Sequence, residues 1–145
     1  MRRILTVGLV AALATALLAA IAYAATVKDF GGPVKGGGAT TFSATKSGGD
    51  FTKAGLFSFV RVPLNCSGGS STLGSFSTNN SVNVSSRRKF SYVFHFSSGG
   101  TATVTGKFNQ AGDKATGTFK ASGVNFSTRT NCTTNGERDW RAETW

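Results

Sequence analysis

Phenylalanine alternating with small or polar residues, in short runs parted by glycine doublets, constrains this chain more than any other feature. Lys89-Phe90-Ser91-Tyr92-Val93-Phe94-His95-Phe96 sets an aromatic ring at every second position, and a period of two places those rings on one face of a β-strand. All twelve phenylalanines lie between Phe30 and Phe126. Gly31-Gly32, Gly36-Gly37-Gly38, Gly48-Gly49, Gly68-Gly69 and Gly99-Gly100 punctuate the runs, because turns need a residue that takes positive φ without strain. These signals predict strands near Val27 to Phe30, Thr40 to Ala44, Leu56 to Val62, Thr72 to Phe76, Ser81 to Ser85, Lys89 to Ser97, Thr101 to Asn109, Ala115 to Ser122 and Asp139 to Thr144. No helix is expected among them.

The middle of the chain carries enough pattern to predict register, since a strand buried on one face must keep its apolar side in phase with its neighbour. With Ser98-Gly99-Gly100 as a three-residue turn, Phe96 pairs Ala102, Phe94 pairs Val104, Tyr92 pairs Gly106 and Phe90 pairs Phe108. The next turn, near Ala111-Gly112, sets Phe108 beside Ala115, Gly106 beside Gly117 and Val104 beside Phe119. The aromatic face of this meander needs a second layer to cover it. An all-β antiparallel sandwich is therefore expected, with a short β-barrel as the alternative. Small residues opposite large rings favour a filled core over a ligand cavity.

Residues 1–24 are of another kind. Arg2 and Arg3 precede an apolar run from Ile4 to Ala22, and Ala22-Tyr23-Ala24 offers the small side chains that a signal peptidase requires. A helical secretory signal peptide, 1–24, cut before Ala25, is the expectation, with retention as a membrane anchor the alternative. The remaining 121 residues, 25–145, suit a single secreted domain. No cysteine stands near the cut to accept lipid, and the location expected is extracellular, in association with the cell envelope.

Outside the signal, fourteen basic residues face six acidic ones, a net charge of +8. Such a domain attracts polyanions over long range in a salt-dependent way. Arg87-Arg88-Lys89 is the densest cluster, and Lys107 and Lys120 share the polar, threonine-rich face of the meander with Ser91, Val93, His95, Thr103, Thr105, Thr116 and Thr118. These five cations are the candidate polyanion-binding residues. A solvated face guarded by lysine against edge-to-edge pairing explains the same pattern without a ligand. No nucleic-acid motif or stacking platform accompanies the charge, so specific nucleic-acid binding is not expected.

Cys66 and Cys132 are the only cysteines, and an even pair in a small exported domain predicts a disulfide. It would close a loop of 67 residues and stabilise the fold by roughly 4 kcal/mol. Two cysteines and the single His95 fall short of a closed zinc site, and no metal or cofactor is expected.

Catalysis finds few candidates. No Gly-x-Ser-x-Gly elbow is present, nothing near His95 completes a triad, and the acids Asp29, Asp50, Asp113, Glu137, Asp139 and Glu143 fall mainly in turns or near the ends. Glu137 with Asp139 or Glu143 is the only carboxylate grouping for a glycosidase. The C-terminal run from Asn135 holds Trp140, expected to face the core, and Trp145, a candidate for stacking on sugar rings.

Phe-Gly-Gly-Pro near Phe30, Asn-Cys-Ser-Gly at Cys66, Lys-Phe-Ser-Tyr-Val-Phe from Lys89, Val-Thr-Gly-Lys-Phe from Val104, Ala-Thr-Gly-Thr-Phe from Ala115 and a late cysteine before Gly136 and Trp140 form a set. In these motifs the chain resembles a group of small secreted β proteins from high-GC Gram-positive bacteria. The resemblance implies export, a disulfide and a β fold, and it carries over no catalytic residue. The expected function is a secreted binding or cell-surface structural domain whose partner is an anionic cell-envelope polymer or polysaccharide. A small secreted hydrolase and a lipocalin-like carrier of an apolar ligand are the alternatives, and oligomeric state is left open.

Overall fold

The computed structural model describes residues 24–145, so the expected signal peptide and its helix lie outside the described residues apart from Ala24. Nine strands follow: β1 (Thr26–Pro33), β2 (Ala39–Ser47), β3 (Asp50–Asn65), β4 (Ser71–Ser77), β5 (Ser81–Asn83), β6 (Lys89–His95), β7 (Thr101–Phe108), β8 (Lys114–Ser122) and β9 (Arg138–Thr144). Each expected strand is present. The only helical element among the described residues is a 3-10 turn at Ser67–Gly69.

Hydrogen bonding runs without a break in the order β4-β3-β2-β1-β9-β8-β7-β6, with β5 added to β3, and the neighbouring strands pair antiparallel. Two meanders, β1 to β4 and β6 to β9, are thus joined where β1 meets β9. The sheet curls into a half-barrel, and its inner face gathers one hydrophobic cluster. Phe30, Phe57, Phe59, Phe108 and Phe119 are fully buried there. Neighbouring rings lie as close as 4.1 Å between centroids for Phe51 and Phe108, and each buried phenylalanine contributes about 1.5–3 kcal/mol by leaving water. Trp140 joins them, edge-on to Phe42 and Phe59.

Two glycines let large rings lie against the sheet. A Cβ at Gly106 would fall on the Phe90 ring, and one at Gly117 would meet the carbonyl oxygen of Thr105 and the indole of Trp140. The two glycines pair directly, as do Val104 with Phe119 and Phe108 with Ala115, which is the expected β7 to β8 register. The β6 to β7 register differs from expectation by two residues: Phe90 pairs Gly106, Tyr92 pairs Val104 and Phe94 pairs Ala102. Ser97-Ser98-Gly99 makes the turn, closed by the Gly99 amide donating to the Phe96 carbonyl at 3.0 Å. A shift of two leaves every side chain on its face, so the aromatic side still points inward.

The free edge of β6 comes back toward the β4 and β5 segment without backbone pairing. The Tyr92 hydroxyl accepts from Asn80 Nδ2 at 2.9 Å and shares a hydrogen bond with Thr78 Oγ1 at 3.2 Å, while Phe57 stacks on Phe90 and Tyr92. The opposite end is held by covalent chemistry. Cys66 and Cys132 form the expected disulfide, and Asn65 and Thr133 exchange backbone hydrogen bonds of 2.8 Å in both directions. The connection from β8 to β9 therefore crosses the end of the half-barrel and is fastened to the tip of β3, a strand four places away in the sheet.

Candidate functional site

Register decides what the outer face presents. Lys89 on β6 lies directly opposite Lys107 on β7, Lys107 opposite Thr116 on β8, and Thr116 opposite Arg141 on β9. Four adjacent strands thus carry a row of three cations and a threonine across the sheet, perpendicular to the chain direction. Strands are spaced about 4.8 Å apart, so the row spans about 14 Å. Lys89, Lys107 and Arg141 are exposed, and none of them makes a salt bridge among the described residues. Lysines directly opposite each other repel. A bound anion relieves that repulsion.

Two contiguous grooves follow this row. One of about 610 Å³ lies between Lys35, Asp139 and Arg141 on one side and Thr116 and Thr118 on the other. The second, about 660 Å³, runs on over Gly117 and Gly106 to Lys107, Lys89 and Ser91. Thr116 and Gly117 line both. Backbone at Gly106 and Gly117, whose Cβ positions point inward toward Phe90 and Trp140, forms the floor between the outward side chains, and Trp140 lies under it beside Gly117. Its Nε1 is buried with no hydrogen-bond partner among the described residues. Along the walls, Thr105 and Thr118 link hydroxyl to hydroxyl at 2.8 Å.

The expected cations divide. Lys89 and Lys107 are brought together more closely than expected, because the two-residue shift makes them direct partners. Arg88 is partly structural: it is half-buried, at positive φ, and its Nε donates to the Phe108 carbonyl at 3.2 Å. Arg87 is exposed in the turn before β6. Lys120 keeps the outer face but pairs Thr103, four residues along β8 from Thr116 and so about 13 Å from the row. His95 is exposed and pairs Thr101 rather than the expected Thr103. Arg141 and Lys35 escaped the sequence reading, although alternation in Asp139-Trp140-Arg141-Ala142-Glu143 carried the signal for Arg141 once Trp140 was placed inward.

Comparison with protein-family models, curated proteins and solved structures returns no significant match.

Asp139 and Glu143 share the outer face of β9, four residues and about 13 Å apart, and each faces a lysine: Lys35 at 3.9 Å and Lys114 at 3.3 Å. Asp113 has its carboxyl held below the usual value, chiefly by a hydrogen bond from the Asn109 side chain. No group of three or more His, Cys, Asp or Glu side chains gathers among the described residues in a way that would hold a metal ion.

Trp145 lies on the neighbouring part of the same outer surface. It is 75% exposed, and its ring packs over the backbone of Gly31 on β1, where a Cβ would overlap it. A cleft of about 350 Å³ beside it is formed by Gly31, Gly32, Pro33, Arg141 and Glu143. Arg141 thus borders both this cleft and the groove over Thr116.

Proposed function

We propose that this is a secreted domain, a short barrel in its working form, that binds an anionic polymer of the cell envelope along the outer face of β6 to β9. The row Lys89, Lys107, Thr116 and Arg141 carries this reading: three cations with no acidic partner, set in line over a continuous groove. An extended polyanion laid across the strands meets them in turn, while threonine and serine hydroxyls between them offer hydrogen bonds. Unbroken pairing from β4 to β6 and the Tyr92 contacts across the seam support the barrel. The disulfide supports folding outside a reducing compartment, and a bacterial cell envelope is the setting proposed from the resemblance noted in the sequence.

The two alternatives have less behind them. Packed rings fill the inner face, where an apolar carrier needs space. Of the carboxylates grouped for a hydrolase, Glu137 is exposed just before β9, while Asp139 and Glu143 are each paired with a lysine, Lys35 and Lys114.

Co-sedimentation of the purified, oxidised protein with isolated cell walls, at low and high salt, tests the proposal. Binding that falls as salt rises, and that is lost in a Lys89→Ala/Lys107→Ala double variant of unchanged melting temperature, is the expected result. Undiminished binding by the double variant would overturn it.

A further inference from the structure

We infer that the polymer taken by this face is an acidic polysaccharide, with Trp145 as the platform on which one of its sugar rings stacks; the inference rests on the cationic row proposed above. Among the described residues, Trp145 differs from the other large aromatics. Trp140 and ten of the phenylalanines are buried, whereas the Trp145 indole is exposed and still held, because Gly31 lets it lie against the strand. An indole fixed in this way offers its solvent side to the apolar face of a pyranose without a large ordering cost.

The surrounding groups fit a sugar that carries both hydroxyl and acid functions. Glu143 and Arg141 sit two residues apart on the outer face of β9, about 6.6 Å along the strand, and both border the cleft beside Gly31. A carboxylate there accepts hydrogen bonds from hydroxyls, and a guanidinium two residues away takes a carboxylate or sulfate in bidentate fashion. Polyphosphate has no hydroxyl to give Glu143 and is repelled by it. Arg141 continues into the groove toward Thr116, Lys107 and Lys89, so one chain crossing five strands, about 19 Å, engages the indole at one end and the lysine pair at the other.

Two probes separate the parts: a soluble polyuronate and inorganic polyphosphate, each titrated against the wild-type chain, Trp145→Ala, and Lys89→Ala/Lys107→Ala. Trp145→Ala should weaken polyuronate binding about tenfold, the scale of one lost aromatic contact, and leave polyphosphate binding unchanged. The lysine double variant should weaken both. Because the chain has two tryptophans and Trp140 is buried, acrylamide quenching of the wild type reports on Trp145, and polyuronate should protect it while polyphosphate does not. Equal effects of Trp145→Ala on both probes, or none on polyuronate, would overturn the platform. Retention of both probes by the lysine variant would instead overturn the cationic row.

Discussion

Strands β7 and β3 face the same core under different rules. Along β7, Ala102, Val104, Gly106 and Phe108 point inward without interruption, and the register with β8 is continuous over eight pairs. Along β3 the inward positions change parity three times: Phe51, then Ala54, then Phe57 and Phe59, then Val62 and Leu64. Register irregularities against β2 and β4 accompany these changes, and Leu56 and Arg61 take positive φ of 53° and 55° at the second and third. Each bulge inserts one residue and turns the strand. A 16-residue strand can then follow the curl and pair β5 with its first part and β4 with its last. Regular strands supply the flat groove, and bulged strands supply the curvature that brings the far edge back to Tyr92.

The contrast can be broken most strongly at Gly117. Gly117→Val should cost about 4 kcal/mol or more, or prevent folding, because the new side chain meets the Thr105 carbonyl and the Trp140 ring in a strand that has no bulge to absorb it; the urea midpoint measures this. A loss of roughly 4 kcal/mol, but with the fold retained, is expected for Cys66→Ala/Cys132→Ala. An unchanged melting temperature on reduction would show that the crossing segment is held by its backbone hydrogen bonds alone.

Leu56→Gly should act in the opposite direction. Left-handed backbone costs a non-glycine residue about 1–2 kcal/mol, glycine returns part of that as lost chain entropy, and a gain of about 0.5 kcal/mol is the expected balance. A loss would mean that the exposed Leu56 side chain is packing after all. Lys107→Ala should be the mildest, within about 0.5 kcal/mol and on the stabilising side, since it removes a like-charge neighbour of Lys89. Its effect belongs to polymer binding.

The same contrast explains what could be read from the chain. Strict alternation from Phe90 to Phe96 and from Ala102 to Phe108 declares both strands and their inner face. The turn between them was displaced by one residue because Ser97, Ser98, Gly99 and Gly100 offer two adjacent glycines, either of which can take the positive φ, and the displacement moved Lys89 from Asn109 to Lys107. In β3 the pattern gave only Leu56 to Val62, because bulges at Leu56 and Arg61 carry no glycine to announce them and the segment from Asp50 to Gly55 follows a glycine turn. The lysine pair was visible as two residues on one face. Arg141 joins them only through the pairing of β8 with β9, and the resting place of Trp145 depends on Gly31, 114 positions earlier, with no local signal linking the two.

The disulfide at the end of the half-barrel bears on how the molecule survives among hydrolytic enzymes. Every turn from Ser70 to Thr130 lies within the loop that Cys66 and Cys132 close, including the basic turn at Arg87 and Arg88 that a trypsin-like protease would cut. A single nick anywhere in that span leaves both fragments covalently joined, and a nick at this turn leaves the two meanders still paired where β1 meets β9.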